Sequence, residues 1–386
     1  MMATCFLVLA AVCFAAALHP FLTYPLSLRV LADLRPRPIR PGVAPARVAV
    51  CVCAYNEAAV IAARVDNILA QRSDFPDLDV LFYVDAATDG TAAILRSYGD
   101  QIRLVVSPAR HGKTHGMNLL VGMTDADIVV FSDANVLFAP GAISRLVAPF
   151  ADAAVGCACG HLRYTAPQGA TAATGSLYWR LEEHIKSLES ATGSVMGADG
   201  SIFAIRRALH RAPPPDLIDD MFVSLSVLCA GARVVHVPDA VAFEEAVSQP
   251  AEEFRRKIRI ACQAFNVNRV LWPALMALPA LDRYKYISHK LLRWFSIYLL
   301  AASALCVFFT VLAVGDVALI GAMVSGAIAA GFVLWLTDRG VIGKIREILA
   351  AMIATGIGVA RSLQGQRFQT WTPPASARVM ASVAGE

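Results

Sequence analysis

Hydrophobic positions along this chain fall into three patterns. The first is unbroken. Residues 4–30 are apolar with interruptions at His19, Pro20, Pro25 and Arg29, while 294–314 and 317–336 are each long enough to cross a bilayer as helices joined at Gly315-Asp316. The second is short: β-like runs at 48–54, 80–84, 102–106 and 128–132 alternate with helix-like segments at 58–71, 89–98 and 114–123. That alternation predicts an α/β domain with a mostly parallel central sheet covered by helices. In the third pattern the apolar part is too short for a clean crossing. Residues 348–360 therefore predict an interfacial helix, and 271–287, with Trp272, Pro273 and Tyr284, predict a segment lying at the interface.

These patterns divide the chain into an N-terminal transmembrane helix and basic linker (1–45), a catalytic α/β domain (46–270), an interfacial segment (271–293), a transmembrane hairpin (294–337) and a C-terminal interfacial helix with its tail (338–386). The first apolar stretch has no basic region ahead of it and exceeds a signal-peptide core, so a retained helix is expected. Arg29, Arg35, Arg37, Arg40 and Arg47 follow it; Arg283, Lys285, Lys290 and Arg293 precede the hairpin, and Arg339, Lys344 and Arg346 follow. By the positive-inside rule all three groups, and the α/β domain with them, face the cytoplasm.

Composition supports a membrane protein, because 57% hydrophobic against 17% charged residues is more apolar than a soluble domain. The net charge of +4 is scattered, with no Lys/Arg block interleaved with aromatics, which argues against nucleic acid as a partner. Of nine cysteines, Cys51/Cys53 and Cys157/Cys159 sit in apolar β-like runs, where they read as small buried hydrophobes in a reducing compartment rather than zinc ligands.

The candidate chemistry gathers where strands end, which is where open α/β sheets bind ligands. Ala54-Tyr55-Asn56-Glu57 follows the first run, Asp85 the second, Lys113 stands near the third, and Asp133-Ala134-Asn135 closes the fourth. Two oxygen-bearing side chains at one strand end suit a divalent cation, and the Arg110 to Asn118 loop offers positive charge and flexible backbone to an anion. Together they point to a metal-bridged diphosphate and so to a nucleotide-activated substrate. Taken singly, each has an ordinary alternative as helix cap, turn residue or solvated loop lysine. Asp219-Asp220 precedes the apolar helical run 221–230, so one carboxylate can cap that helix while the other faces the site.

With Gly197-Ala198-Asp199-Gly200 and the flanking apolar helices, these motifs resemble the membrane-bound family 2 glycosyltransferases, the group of cellulose, hyaluronan and poly-N-acetylglucosamine synthases. The resemblance implies a GT-A nucleotide-sugar-binding fold. It places Ala54, Tyr55, Asn56, Glu57 and Asp85 on the nucleoside, Lys113 on base or diphosphate, and Arg259 on the diphosphate. Asp133 would hold Mg²⁺ or Mn²⁺, with Asn135 replacing the second carboxylate of the family's Asp-x-Asp. Asp220 would be the general base and Asp219 its support, while Gly197 and Asp199 would face the acceptor. Arg256 and Ile260 stand where the processive synthases have the Gln and Trp of Gln-x-x-Arg-Trp. Trp371, in Phe368-Gln369-Thr370-Trp371, is either part of a segment returning over the donor pocket, where it would replace the missing aromatic against the acceptor, or an interface anchor.

The expected activity is metal-dependent, inverting transfer from a nucleotide-diphosphate sugar, a UDP-sugar in the leading reading, to a growing saccharide in extracellular polysaccharide synthesis at the bacterial inner membrane. The rival is addition of one sugar to a lipid-linked acceptor. With only three crossings, export would call for a homodimer or a separate partner.

Overall fold

The chain begins with two helices, α1 (Met2–Leu18) and α2 (Thr23–Leu34), where the sequence predicts one. They meet at a 59° bend. Pro20 accounts for it, since its ring clashes with the carbonyl four residues back and it has no N–H to donate. The His19 ring fixes the corner, with Nδ1 2.6 Å from Thr23 Oγ1 and Nε2 3.0 Å from Ser288 Oγ. In this computed structural model, residues 1–43, 45, 47–165, 170–245, 250–315, 317–336 and 340–370 are described.

The α/β region follows in the order β1 (Val48–Ala54), α3 (Ile61–Leu69), β2 (Asp79–Asp85), α4 (Thr91–Arg96), β3 (Arg103–Ser107), α5 (Lys113–Met123), β4 (Ile128–Asp133), β5 (Leu137–Phe138) and α6 (Ala142–Val147). It continues through β6 (Val155–Thr165), α7 (Ala170–Ala191), β7 (Ile202–Arg206), α8 (Asp219–Cys229), β8 (Arg233–Glu245) and α9 (Pro250–Met276). The sheet order is β3-β2-β1-β4-β7-β6-β8-β5. β1 to β4 are mutually parallel, as the alternation predicts. Beyond β4 the sheet is mixed: β7 runs antiparallel to β4 and β6, β6 and β8 are parallel, and β5 is antiparallel to β8.

Every residue of β1 is buried, which explains an uninterrupted apolar run in place of alternation. Ala49, Cys51 and Cys53 face one core with Leu120, Phe222 and Phe265, and Val48, Val50 and Val52 face the other with Ile61, Val65 and Ile143. All nine cysteines are free, and Cys51, Cys53, Cys157 and Cys159 fill the first core as small hydrophobes.

After α9 come α10 (Ala280–Tyr286), a π turn (Ile287–Leu291) and α11 (Leu292–Val314), which form one rod of 35 residues. Among the described residues it is the one unbroken helix long and apolar enough to cross a bilayer; α1 and α2 qualify jointly as a bent pair. α1 lies along α11, with Ser303 Oγ donating to the Ala10 carbonyl at 2.9 Å. Gly315 ends α11 in the left-handed conformation (φ 78°) and the chain turns into α12 (Val317–Leu336), the second arm of the expected hairpin. α13 (Gly340–Leu363) extends well beyond the apolar stretch 348–360 and crosses α9 closely, since a Cβ on Gly358 would lie 2.6 Å from the Ile258 carbonyl oxygen.

Candidate active site

Three chain segments deliver charged side chains to one place. β4 ends in Asp133, α5 starts at Lys113, and α8 starts at Asp219 and Asp220. Lys113 Nζ lies 2.8 Å from Asp133 Oδ1 and 3.3 Å from Asp219 Oδ2. Burial alone would lower the pKa of this ammonium, but Asp133, Asp219 and Asp220 together hold it well above the ordinary lysine value. The alignment of the two helix starts is fixed by Thr114, whose Oγ1 donates to the Leu217 carbonyl at 2.8 Å just ahead of α8.

Burial pushes the Asp220 carboxyl up to about 7, Asp219 beside it adds to the rise, and Lys113 opposes it. Its Oδ1 accepts the Met221 N–H at 2.5 Å. Gly200 makes room for the other oxygen, because a Cβ there would stand 2.7 Å from Asp220 Oδ2. In the same loop Gly197 adopts φ 113°, and Asp199 accepts the Ser201 N–H at 3.1 Å and faces Lys186 Nζ at 3.8 Å.

The residues expected on the nucleoside form a second cluster. Asp85 is fully buried and gathers the Arg110–Gly112 loop: its oxygens accept from Arg110 Nε (3.0 Å), the His111 N–H (2.7 Å) and the Gly112 N–H (3.1 Å). The Arg110 guanidinium lies 3.4 Å over the Tyr55 ring. Asn56 (φ 54°) and Ala86 (φ 53°) hold left-handed backbone at the ends of β1 and β2, and Asn56 Oδ1 accepts the Thr88 N–H at 2.8 Å, joining the two turns. Glu57 is buried beside them, with its N–H donating to Thr91 Oγ1 at 2.8 Å. From the other end of the chain, Gln369 Nε2 donates to the His111 carbonyl at 3.2 Å, so residues up to Thr370 return over this loop. Trp371 lies outside the described residues.

Asn135 Nδ2 donates to Glu244 Oε1 at 3.1 Å. Sequence reasoning missed Glu244, which sits at the end of β8. Its Oε2 is buried without a hydrogen-bond partner, and burial pushes its carboxyl up to about 7, with Asp133 contributing to the rise and Arg256 opposing it. Asp133, Asn135 and Glu244 thus present only oxygen acceptors and one amide, a donor set that fits a hard divalent cation. On α9, Arg256 pairs with Glu253 at 3.3 Å, and Arg259 Nη1 donates to Gln263 Oε1 at 3.0 Å. Burial and Arg256 lower the pKa of the Arg259 guanidinium, and Asp133 acts in the opposite sense.

The sequence profile described as glycosyltransferase-like family 2 matches residues 45–263, more than half of the chain. The chain belongs to this family. Similar glycosyltransferases include the N-acetylglucosaminyltransferase of Rhizobium leguminosarum bv. viciae, 24% identical over 253 residues that make up 61% of this chain and 59% of the relative. The N-acetylglucosaminyltransferase of Sinorhizobium fredii is 25% identical over 267 residues, 64% of this chain and 63% of the relative. The match therefore spans about three-fifths of these curated relatives. A mannosyltransferase from Pyrobaculum calidifontis, solved with GDP-Man and Mn²⁺, superposes with a TM-score of 0.71 at 23% identity and covers 95% of this chain and 100% of its own. That superposition shows the GT-A fold.

On this family 2 fold, Lys113, Asp133, Asp219 and Asp220 converge, Ala54 to Glu57 and Asp85 form the neighbouring cluster, and Asp199, in the loop of Gly197, is close enough to raise the Asp220 carboxyl. Ile260 is exposed on α9 and offers no aromatic surface. An aromatic pair lies elsewhere: Tyr164 of β6 and Trp179 of α7 meet edge to face at 5.4 Å, with Lys186 Nζ 5.3 Å from the Trp179 ring. No local motif marks that pair in the sequence.

Proposed function

We propose that this chain is a membrane-associated, metal-dependent, inverting glycosyltransferase that passes a sugar, N-acetylglucosamine in the leading reading, from a UDP donor to a saccharide acceptor. The convergence of Lys113, Asp133, Asp219 and Asp220 carries this reading. Asp133, Asn135 and Glu244 would hold Mg²⁺ or Mn²⁺, and that cation supplies charge neutralisation for the leaving diphosphate. Lys113 and Arg259 add positive charge to the same group. The nucleoside would enter beside Tyr55 and the Arg110–Gly112 loop, which Asp85 and Glu57 support from below. Asp220, close to half ionised at neutrality, takes the acceptor hydroxyl proton as that oxygen attacks the anomeric carbon, and Asp219 keeps Lys113 in place. Gly197 and Asp199, with Tyr164 and Trp179, would line the acceptor side. The donor choice rests on the rhizobial relatives' name. The apolar rod and the bent helix pair support attachment to a bacterial inner membrane with the α/β domain in the cytoplasm.

A second reading, addition of one sugar to a lipid-linked acceptor, is favoured by Arg256 and Ile260, since Arg256 is engaged with Glu253 and Ile260 gives a sugar no ring to stack on. The test is purified full-length protein in detergent with labelled UDP-N-acetylglucosamine or GDP-mannose and Mn²⁺. Release of UDP that disappears in Asp220→Asn, with UDP binding retained, is the expected result. A product ladder favours polymerisation and a single addition favours the second reading; release of GDP alone overturns the donor assignment, and full activity in Asp220→Asn overturns the base.

A further inference from the structure

A second constellation of metal-ligand type lies apart from the Asp133 cluster. His161 of β6, Glu183 of α7 and His236 of β8 bring Nδ1, a carboxylate oxygen and Nε2 within 4.8 Å of one another. Glu183 Oε2 is the shared centre, 2.5 Å from His161 Nδ1 and 2.9 Å from His236 Nε2. His236 is only 6% exposed, and when its ring is protonated this contact is an ion pair that helps hold the Glu183 carboxyl well below its ordinary value.

The far side of the His236 ring is held by Ser187. Ser187 has one hydroxyl proton and gives it to the Glu183 carbonyl at 2.9 Å. At His236 Nδ1, 3.1 Å away, Ser187 Oγ is therefore the acceptor and Nδ1 carries the ring proton. Nε2 then faces Glu183 Oε2 at 2.9 Å with either a second ring proton or a metal cation between them. A divalent ion bound by both groups replaces that proton. A partner on the far ring nitrogen that fixes the tautomer is also what metal-binding histidines have.

The local charge leaves room for such an ion. Lys186 Nζ binds the other Glu183 oxygen at 2.8 Å and reaches Asp199 at 3.8 Å, so one ammonium faces two carboxylates. Glu183 Oε2 stays available to the imidazole side, and His161, with 22% of its side chain exposed, opens that side to solvent. We propose that His161, Glu183 and His236 form a binding site for a divalent transition-metal ion of borderline softness, Zn²⁺ above all, with a water at the fourth position. The two imidazole nitrogens separate it from the all-oxygen preference of Mg²⁺. The ion ties β6, β8 and α7 together and holds Lys186 against Asp199 on the acceptor side.

The test uses full-length protein in detergent, stripped with EDTA, incubated with Zn²⁺ or Co²⁺ and gel-filtered without nucleotide. The expected result is about one Zn²⁺ retained per chain by elemental analysis. That ion is lost in His161→Ala and in His236→Ala, kept in Asp133→Ala, and bound about 10-fold more weakly in Ser187→Ala. The Co²⁺ form should show visible absorption bands that both histidine variants abolish. If His236→Ala does not fold, His161→Asn on the exposed side carries the comparison alone. No retained ion in the wild-type chain, or equal retention and an unchanged Co²⁺ spectrum in the histidine variants, overturns the proposal and leaves a purely proton-bridged cluster.

Discussion

Asp220 is a carboxylate lifted to about 7, and as the proposed base it would act in its deprotonated form. The rate should therefore fall as pH drops through 7 and level off above it. Asp219 raises this value and Lys113 lowers it, so Asp219→Asn should move the acid limb of the kcat profile to lower pH, while Lys113→Met moves it higher, each read from a pH–rate curve. Gly200→Ala should reduce kcat by roughly 100-fold, within the range for losing a positioned base, because its Cβ needs the space of the Asp220 carboxylate. With Glu244 in the proposed metal site, Glu244→Gln should weaken Mn²⁺ activation by about 10-fold in a metal titration. If activity is untouched, Glu244 is not a ligand. Asp133, Asp220 and Lys113 were legible in the sequence because each stands at a strand end or helix start. Glu244 was not, since it meets Asn135 across 109 residues through the β5–β8 edge and has no local motif.

At the scale of elements, the strands and helices from β1 to β4 lie within a few residues of where their apolar runs predict, because each strand pairs with its chain neighbours or returns through one helix. The mixed half was not legible. β7 inserts between β4 and β6, and β5 has two residues, so their directions depend on long-range pairing rather than local pattern. The bend after α1 was marked by Pro20 inside an otherwise continuous run. Helix α13 gives a separate test of packing. Gly358→Ala places a methyl against Ile258 and Ala261 and should destabilise by about 1–3 kcal/mol in thermal unfolding. Gly122→Ala, in α5 with open space around it, should stabilise by up to about 1 kcal/mol. Equal effects at the two sites would contradict the close crossing of α13 and α9.

Across the whole molecule, one helix joins the apolar part of the chain to the catalytic part. The rod that starts at Ala280 makes polar contacts with α7 in its first half: Lys285 Nζ donates to the Glu189 carbonyl at 3.1 Å, His289 lies 2.8 Å from Glu189 Oε1 and 3.1 Å from Glu182 Oε1, and Arg293 pairs with Glu182. Its second half is almost entirely apolar. α7 in turn carries Lys186, which faces Asp199. In a rod that crosses a bilayer as proposed, hydrophobic mismatch is relieved by tilt, and tilt would pull on α7. In liposomes of graded acyl-chain length, the acceptor KM should therefore change with bilayer thickness while donor KM stays constant. An acceptor KM indifferent to chain length would show that the two halves of the rod are decoupled at the π turn. A dependence on chain length would make lipid composition a regulator of this enzyme, acting through the angle of one helix.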